Sequence, residues 1–236
     1  MIPIKDNVPL RVFPFATIIL VLLNLLFFVL ELQQLALGEQ GVANIVRFAT
    51  VPAQVVQWPP ALWPLVTLVT SQFLHADWIH LAGNMVYLWF FGRKVEGDMG
   101  AFRYLGFYLL AGTLSSIVYV IFSYQSQLPV IGASGAIAAV LAAYLYYHPK
   151  ARVWTWIPIS FWTILPLPSF VLLGFWFLVQ LFSGVAALDW GTSQMGGIAW
   201  WSHIGGFVAG LAMSPLLRAP PPRDYRAEYL RSIGKK

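Results

Sequence analysis

Apolar residues fall into six long runs along the chain, and the stretches between the runs carry nearly all of its charge. The runs cover about 13–30, 78–91, 104–122, 131–147, 170–188 and 198–217. Runs of this kind read as membrane-crossing helices, because about 20 apolar residues rising 1.5 Å each match the hydrocarbon core of a bilayer. The second run is short, so its outer end is expected below the surface, or the bilayer is expected to thin around it. Between the first two runs, residues 31–77 are too apolar for an ordinary loop yet are broken by Pro52, Pro59, Pro60 and Pro64. With Trp58 and Trp63, that connection predicts a segment lying in or dipping into the interface, where amphipathic rings settle. Residues 153–168, rich in proline and tryptophan, read as a second interfacial stretch, and His148-Pro149 closes the fourth helix. The first run lacks a small-residue cleavage site and is too long for the apolar core of a signal peptide, so it is expected to be retained. The pattern predicts an all-α membrane protein: a six-helix bundle with a long interfacial connection between the first two spans. No repeat or second domain is visible, and a single domain is expected over 1–236, with an embedded core at about 13–217 and a basic tail at 218–236.

Composition agrees with the pattern. Hydrophobic residues make up 59% of the chain, charged residues 10%, and the mean hydropathy is +0.71, far from the usual soluble mixture. The net charge of +5 comes from short clusters between apolar runs and forms no basic stripe, so nucleic acid is not an expected partner. The partner is the lipid bilayer. The absence of cysteine excludes disulfides and thiolate metal sites. Of the 14 basic residues, all but Arg47 fall on one side if the spans number six, and the positive-inside rule assigns that side to the cytoplasm. The expected location is thus the cell (inner) membrane, with both termini cytoplasmic.

Spans 2, 4 and 6 then all run inward from the outer face, and each carries its polar residues near its start. These are His80 and Asn84, Ser134, and His203. At 1.5 Å per residue they fall within about two helical turns of one another in depth. Gly132-Ala133-Ser134-Gly135 alone has two readings, a close helix contact or a nucleophile. Histidines at the same membrane depth favour the nucleophile, since intramembrane ionisable groups mark functional sites. His80 and Asn84 are four apart and share a helix face, as do His203, Gly206 and Gly210. Gly206 and Gly210 form a small-xxx-small pair that suits the Ala-rich surface of span 4 and would bring His203 to Ser134. A serine hydroxyl needs an adjacent base, and a neutral imidazole is one. No carboxylate lies mid-span, so the expected site is a Ser134–His203 dyad. The first N–H groups of span 4, at Ser134 and Gly135, and the side chains of His80 and Asn84 are placed to surround an oxyanion.

The ordered motifs His80-x-x-x-Asn84, Gly132-Ala133-Ser134-Gly135 and His203-Ile204-Gly205-Gly206 with Gly210 make the chain resemble the rhomboid intramembrane serine proteases. The phrase from Phe73 to Met85 is also similar. The resemblance implies Ser134 as nucleophile, His203 as base, and His80 and Asn84 as oxyanion stabilisers. It further implies single-span or other membrane-protein substrates, cut in or near their spans after approach from lipid beside span 5, with no metal and no cofactor. Where some members carry a tyrosine stacked on the histidine ring, this chain has Ala138. A zinc site at His75 and His80 is disfavoured, since no HExxH motif or nearby carboxylate accompanies them. A structural hydrogen bond is the simpler role for His75, and His148 is read as meeting a helix C-terminus. The rival readings are a non-catalytic rhomboid-like protein that binds transmembrane clients and a transporter, which would want half-helix pairs in matching halves where no internal symmetry is visible.

Overall fold

The computed structural model describes residues 1–57, 59, 61–157, 163–189 and 198–220. The expectations placed on Trp58, Pro60 and the tail beyond 220 fall outside these residues. The chain is mostly helical: α1 Phe15–Leu35, α2 Glu39–Val46, α3 Pro52–Val55, α4 Leu62–Thr70, α5 Trp78–Tyr87, α6 Arg93–Met99, α7 Ala101–Phe122, α8 Ser134–Tyr147, α9 Ser169–Asp189 and α10 Trp200–Leu217. Among the described residues three helices are long and apolar enough to cross a bilayer: Phe15–Leu35, Ala101–Phe122 and Ser169–Leu188. Their outer faces present large apolar side chains such as Leu22, Leu110 and Phe182 to the surroundings, an arrangement stable in lipid and not in water.

Helix α8 is the axis of the bundle. Every residue from Gly135 to Tyr144 is buried, because its alanines keep the helix thin enough for neighbours on all sides. The contact with α10 is the tightest. A Cβ added at Gly206 would lie 2.0 Å from the Gly135 carbonyl oxygen, and one at Gly210 would lie 2.4 Å from that of Ala139. On the other side a Cβ at Gly135 would strike Ser115 Oγ of α7 at 2.1 Å.

Two local expectations are revised. The second apolar run does not end its helix at Phe91: α5 passes through a π-type turn, Leu88–Gly92, directly into α6. Three of the charged residues that follow Phe91, namely Lys94, Glu96 and Asp98, are buried and have partners. Glu96 Oε1 accepts from the Ala16 N–H at 2.9 Å, and Oε2 accepts from the Thr17 N–H at 2.8 Å and the Thr17 hydroxyl at 2.7 Å. It thereby caps α1, which has no cap from its own Pro14. Lys94 pairs with Asp6 at 3.1 Å, and Asp98 accepts from Arg11 at 2.7 Å. His148 Nε2 also meets Asp98, at 2.6 Å, so its partner is a carboxylate and not only the end of α8.

The second revision is a small antiparallel sheet, β1 Ile2–Asp6, β2 Arg152–Trp156 and β3 Ile164–Pro168, in that order. The second interfacial stretch is thus partly a hairpin that captures the N-terminal residues. Along β2 the exposed Arg152 alternates with the fully buried Val153 and Thr155, a period of two in β-branched and aromatic residues that favours a strand.

The long connection braces the start of α8. Thr50 and Val130 exchange backbone hydrogen bonds of 3.1 and 2.8 Å, and the Gly132 N–H donates to the Ser71 carbonyl at 2.9 Å. The segment leading into Ser134 is therefore held by α4 and its continuation.

Candidate active site

Ser134 is the first residue of α8, and its hydroxyl opens onto a cavity of about 590 Å³. The cavity is lined by Asp77, His80, Asn84 and Tyr87, by Ile131 and Ser134, and by Trp176, Ala199 and His203. Ser134 Oγ lies 2.8 Å from His203 Nε2. The two side chains come from α8 and α10, the pair of helices that Gly206 and Gly210 allow to touch backbone to backbone. At 2.8 Å the hydroxyl can donate to an unprotonated Nε2.

His80 and Asn84 sit on one face of α5, and both line the same cavity. The His80 ring lies over Gly132: a Cβ there would come within 2.8 Å of its Cε1 and Nε2 and 3.7 Å of Ser134 Oγ. Gly132 has φ of +130°, a conformation that side chains rarely adopt, so both the turn and the ring above it require glycine at this position. Asp77 caps α5, accepting from the Ile79 and His80 N–H groups at 2.8 Å each. Those donors, the His80 N–H above all, hold its carboxyl below the usual range.

His75 takes a supporting place beside the site. It is buried, its ring lies edge-on to that of His80 at 5.1 Å, and its Nε2 accepts from Asn84 Nδ2 at 3.0 Å. Its backbone N–H donates to the Glu31 carboxylate at 3.1 Å, so α1 is tied through His75 to the amide of Asn84. Among the described residues no three histidine, aspartate or glutamate side chains converge as a metal site would need.

Gln180 of α9 was not visible as a site residue in the sequence. It is buried, and its Oε1 lies 2.7 Å from His203 Nδ1. A lone amide in an apolar run reads as a packing group, and only the partner 23 residues later gives it a chemical context. Ala138 is fully buried in α8, and the rings beside His203 come instead from Trp176, at 6.0 Å between centroids, and Trp200, at 6.3 Å.

The family model of the rhomboid domain matches residues 62–220, which carry all of the side chains just described except Glu31. Among curated relatives, the chain is similar to Rhomboid protein 1, mitochondrial, of Saccharomyces cerevisiae, 28% identical over 62% of this chain and 40% of the relative. Rhomboid protease GluP of Bacillus subtilis is 35% identical over 56% of this chain and 24% of its own length. Presenilin-associated rhomboid-like protein A, mitochondrial, of Danio rerio is 38% identical over 36% of this chain and 23% of that protein. The chain thus spans less than half the length of these relatives. Since the domain match takes in well over half of the 236 residues and holds every motif that suggested it, the chain belongs to the rhomboid family.

Proposed function

We propose that this chain is an intramembrane serine endopeptidase that hydrolyses peptide bonds of membrane-anchored proteins in or near their transmembrane segments. The observation that carries the proposal is the 2.8 Å approach of Ser134 Oγ to His203 Nε2 at the wall of a cavity large enough for a peptide segment. In this reading Oγ attacks the scissile carbonyl while its proton moves to Nε2. The resulting oxyanion is met by the first N–H groups of α8, at Ser134 and Gly135, and by His80 and Asn84. The proton on Nε2 then passes to the leaving nitrogen as the C–N bond breaks, and water completes hydrolysis of the acyl-enzyme. A client-binding protein without catalysis would have no need of a serine proton donor paired to an imidazole acceptor, so the hydrolase reading is preferred.

The same proposal takes α1, the continuous α5–α6 helix, α7, α8, α9 and α10 as six spans, in the cell membrane. The termini face the cytoplasm and the serine lies toward the outer side. Its support is the placement of Arg11, Lys94 and Arg103 near one end of the spans and Ser134 near the other. The test of activity is cleavage of a tagged single-span protein in liposomes by the purified chain and by Ser134→Ala. A fluorophosphonate probe should label wild type and fail on the variant. Equal labelling of the two would put the nucleophile elsewhere.

A further inference from the structure

Helix α9 is an apolar stretch facing lipid, and Gln180 is its one buried amide. An unpaired amide in such surroundings is costly, so the partner it finds carries information. That partner is the ring nitrogen of His203 that Ser134 does not use, at 2.7 Å.

The two ring nitrogens are not equivalent. A neutral imidazole carries one N–H, and a base that takes the serine proton through Nε2 must carry that N–H on Nδ1. A bond from Nδ1–H to an acceptor oxygen selects this tautomer, and Gln180 Oε1 is such an acceptor. Trp176 and Trp200 pack near the ring but offer only N–H donors, so they can set its plane and not its proton. We infer that Gln180 is the positioning residue of His203, fixing the Nδ1–H tautomer and aiming Nε2 at Ser134, and that it ties the base to α9. The inference rests on the hydrolase reading above.

The proton balance is simple. As the Oγ–C bond forms, the proton leaves Oγ for Nε2, and the ring becomes an imidazolium whose Nδ1–H still points at the Gln180 oxygen. When the C–N bond breaks, Nε2 returns that proton to the leaving nitrogen. Gln180 never changes protonation. Its oxygen faces the positive ring throughout, the role a carboxylate plays in a triad.

The test compares wild type with Gln180→Leu, which keeps bulk and removes the acceptor, and Gln180→Glu, which restores an oxygen. Nitrogen-15 NMR of histidine-labelled protein reads the His203 tautomer without turnover, the resonance being assigned by its loss in His203→Ala. Gln180→Leu is expected to lower kcat by roughly 10- to 100-fold with KM changed less than about twofold, and to shift His203 away from the Nδ1–H form. Gln180→Glu is expected to recover most of kcat and the Nδ1–H signal. A Leu variant with wild-type kcat and tautomer would overturn the inference. So would equal losses in the Leu and Glu variants with the tautomer unmoved, which is the signature of a packing role. Fluorophosphonate labelling in the same preparations separates the two levels. Failure to label wild-type Ser134 sinks the hydrolase reading, whereas labelling that survives alongside an unmoved tautomer sinks only the role of Gln180.

Discussion

Gly206→Ala is a one-methyl test of how the serine and the imidazole are brought together. The added Cβ would lie 2.0 Å from the Gly135 carbonyl oxygen and 2.9 Å from its carbon, whereas real Cβ contacts stay beyond 3.0 Å. Both atoms are backbone in the first turn of α8, so no rotamer change relieves the clash and α10 must back away from α8 by on the order of 1 Å. Gly135 adjoins Ser134, and Gly206 lies one turn beyond His203. The displacement is therefore delivered almost undiminished to the 2.8 Å bond, which then leaves hydrogen-bond range. A 1 Å misplacement of a reacting group costs on the order of 100-fold in rate, and overpacking costs about 1–3 kcal/mol of stability. Gly174→Ala in α9 is the control, since nothing lies within 4 Å of the added methyl. The assay is cleavage of the tagged substrate in liposomes, with thermal unfolding measured on the same preparations. Gly206→Ala should lose about two orders of magnitude in turnover while remaining folded at the assay temperature, and Gly174→Ala should match wild type. Wild-type turnover and melting temperature in Gly206→Ala would refute the argument that this glycine sets the distance.

Two further outcomes follow from the same geometry. His80→Ala and Asn84→Ala should each cut kcat by roughly 10- to 1,000-fold at near-normal melting temperature, because an oxyanion donor matters most in the transition state. His75→Ala should instead lower the melting temperature more than the rate, since it removes a buried ring bonded to Asn84. A stable but inactive His75→Ala beside an active His80→Ala would reverse the two roles. For topology, single cysteines at Gln125 and Lys150, both exposed, should differ in reaction with an impermeant maleimide added outside cells. Position 125 should label and position 150 should not, and labelling at 150 would overturn the proposed orientation.

Much of the site was legible because its parts obey helix periodicity. His80 and Asn84 repeat at i and i+4, as do Gly206 and Gly210, and hydropathy alone sets the depth at which each helix starts. Ser134 and His203 could be placed at one level before any contact was known. Gln180 could not, because its meaning depends on the rotation of α9 about its own axis. That rotation is set by packing against α10, and an almost uniformly apolar helix leaves no polar face from which to read it. The bond between His75 and Asn84 was hidden for a different reason, since it joins a loop to a helix and loops carry no period.

The end of the second apolar run shows how a sound local rule was overridden by its neighbours. Arg93, Lys94, Glu96 and Asp98 within six residues argue for exit from the membrane, yet the helix runs on to Met99 and holds Lys94, Glu96 and Asp98 almost without exposure. A buried carboxylate is tolerable only when its oxygens are filled, and Glu96 fills its own with the first-turn N–H groups of α1 and the Thr17 hydroxyl. The bond runs between residues about 80 apart in sequence, so no window along the chain contains both halves of it. Its effect is to fix the start of α1 to the far end of the helix that Asp77 caps and that carries His80 and Asn84. Asp98 extends the same anchor to Arg11 and to His148 at the end of α8, the helix that begins at Ser134. The helix that carries His80 and Asn84 and the helix that begins at Ser134 are thus locked together at their charged ends. The opposite ends of the same two helices line the cavity, and there the bracing comes from His75, bonded to Asn84, and from Ser71, bonded to the Gly132 N–H.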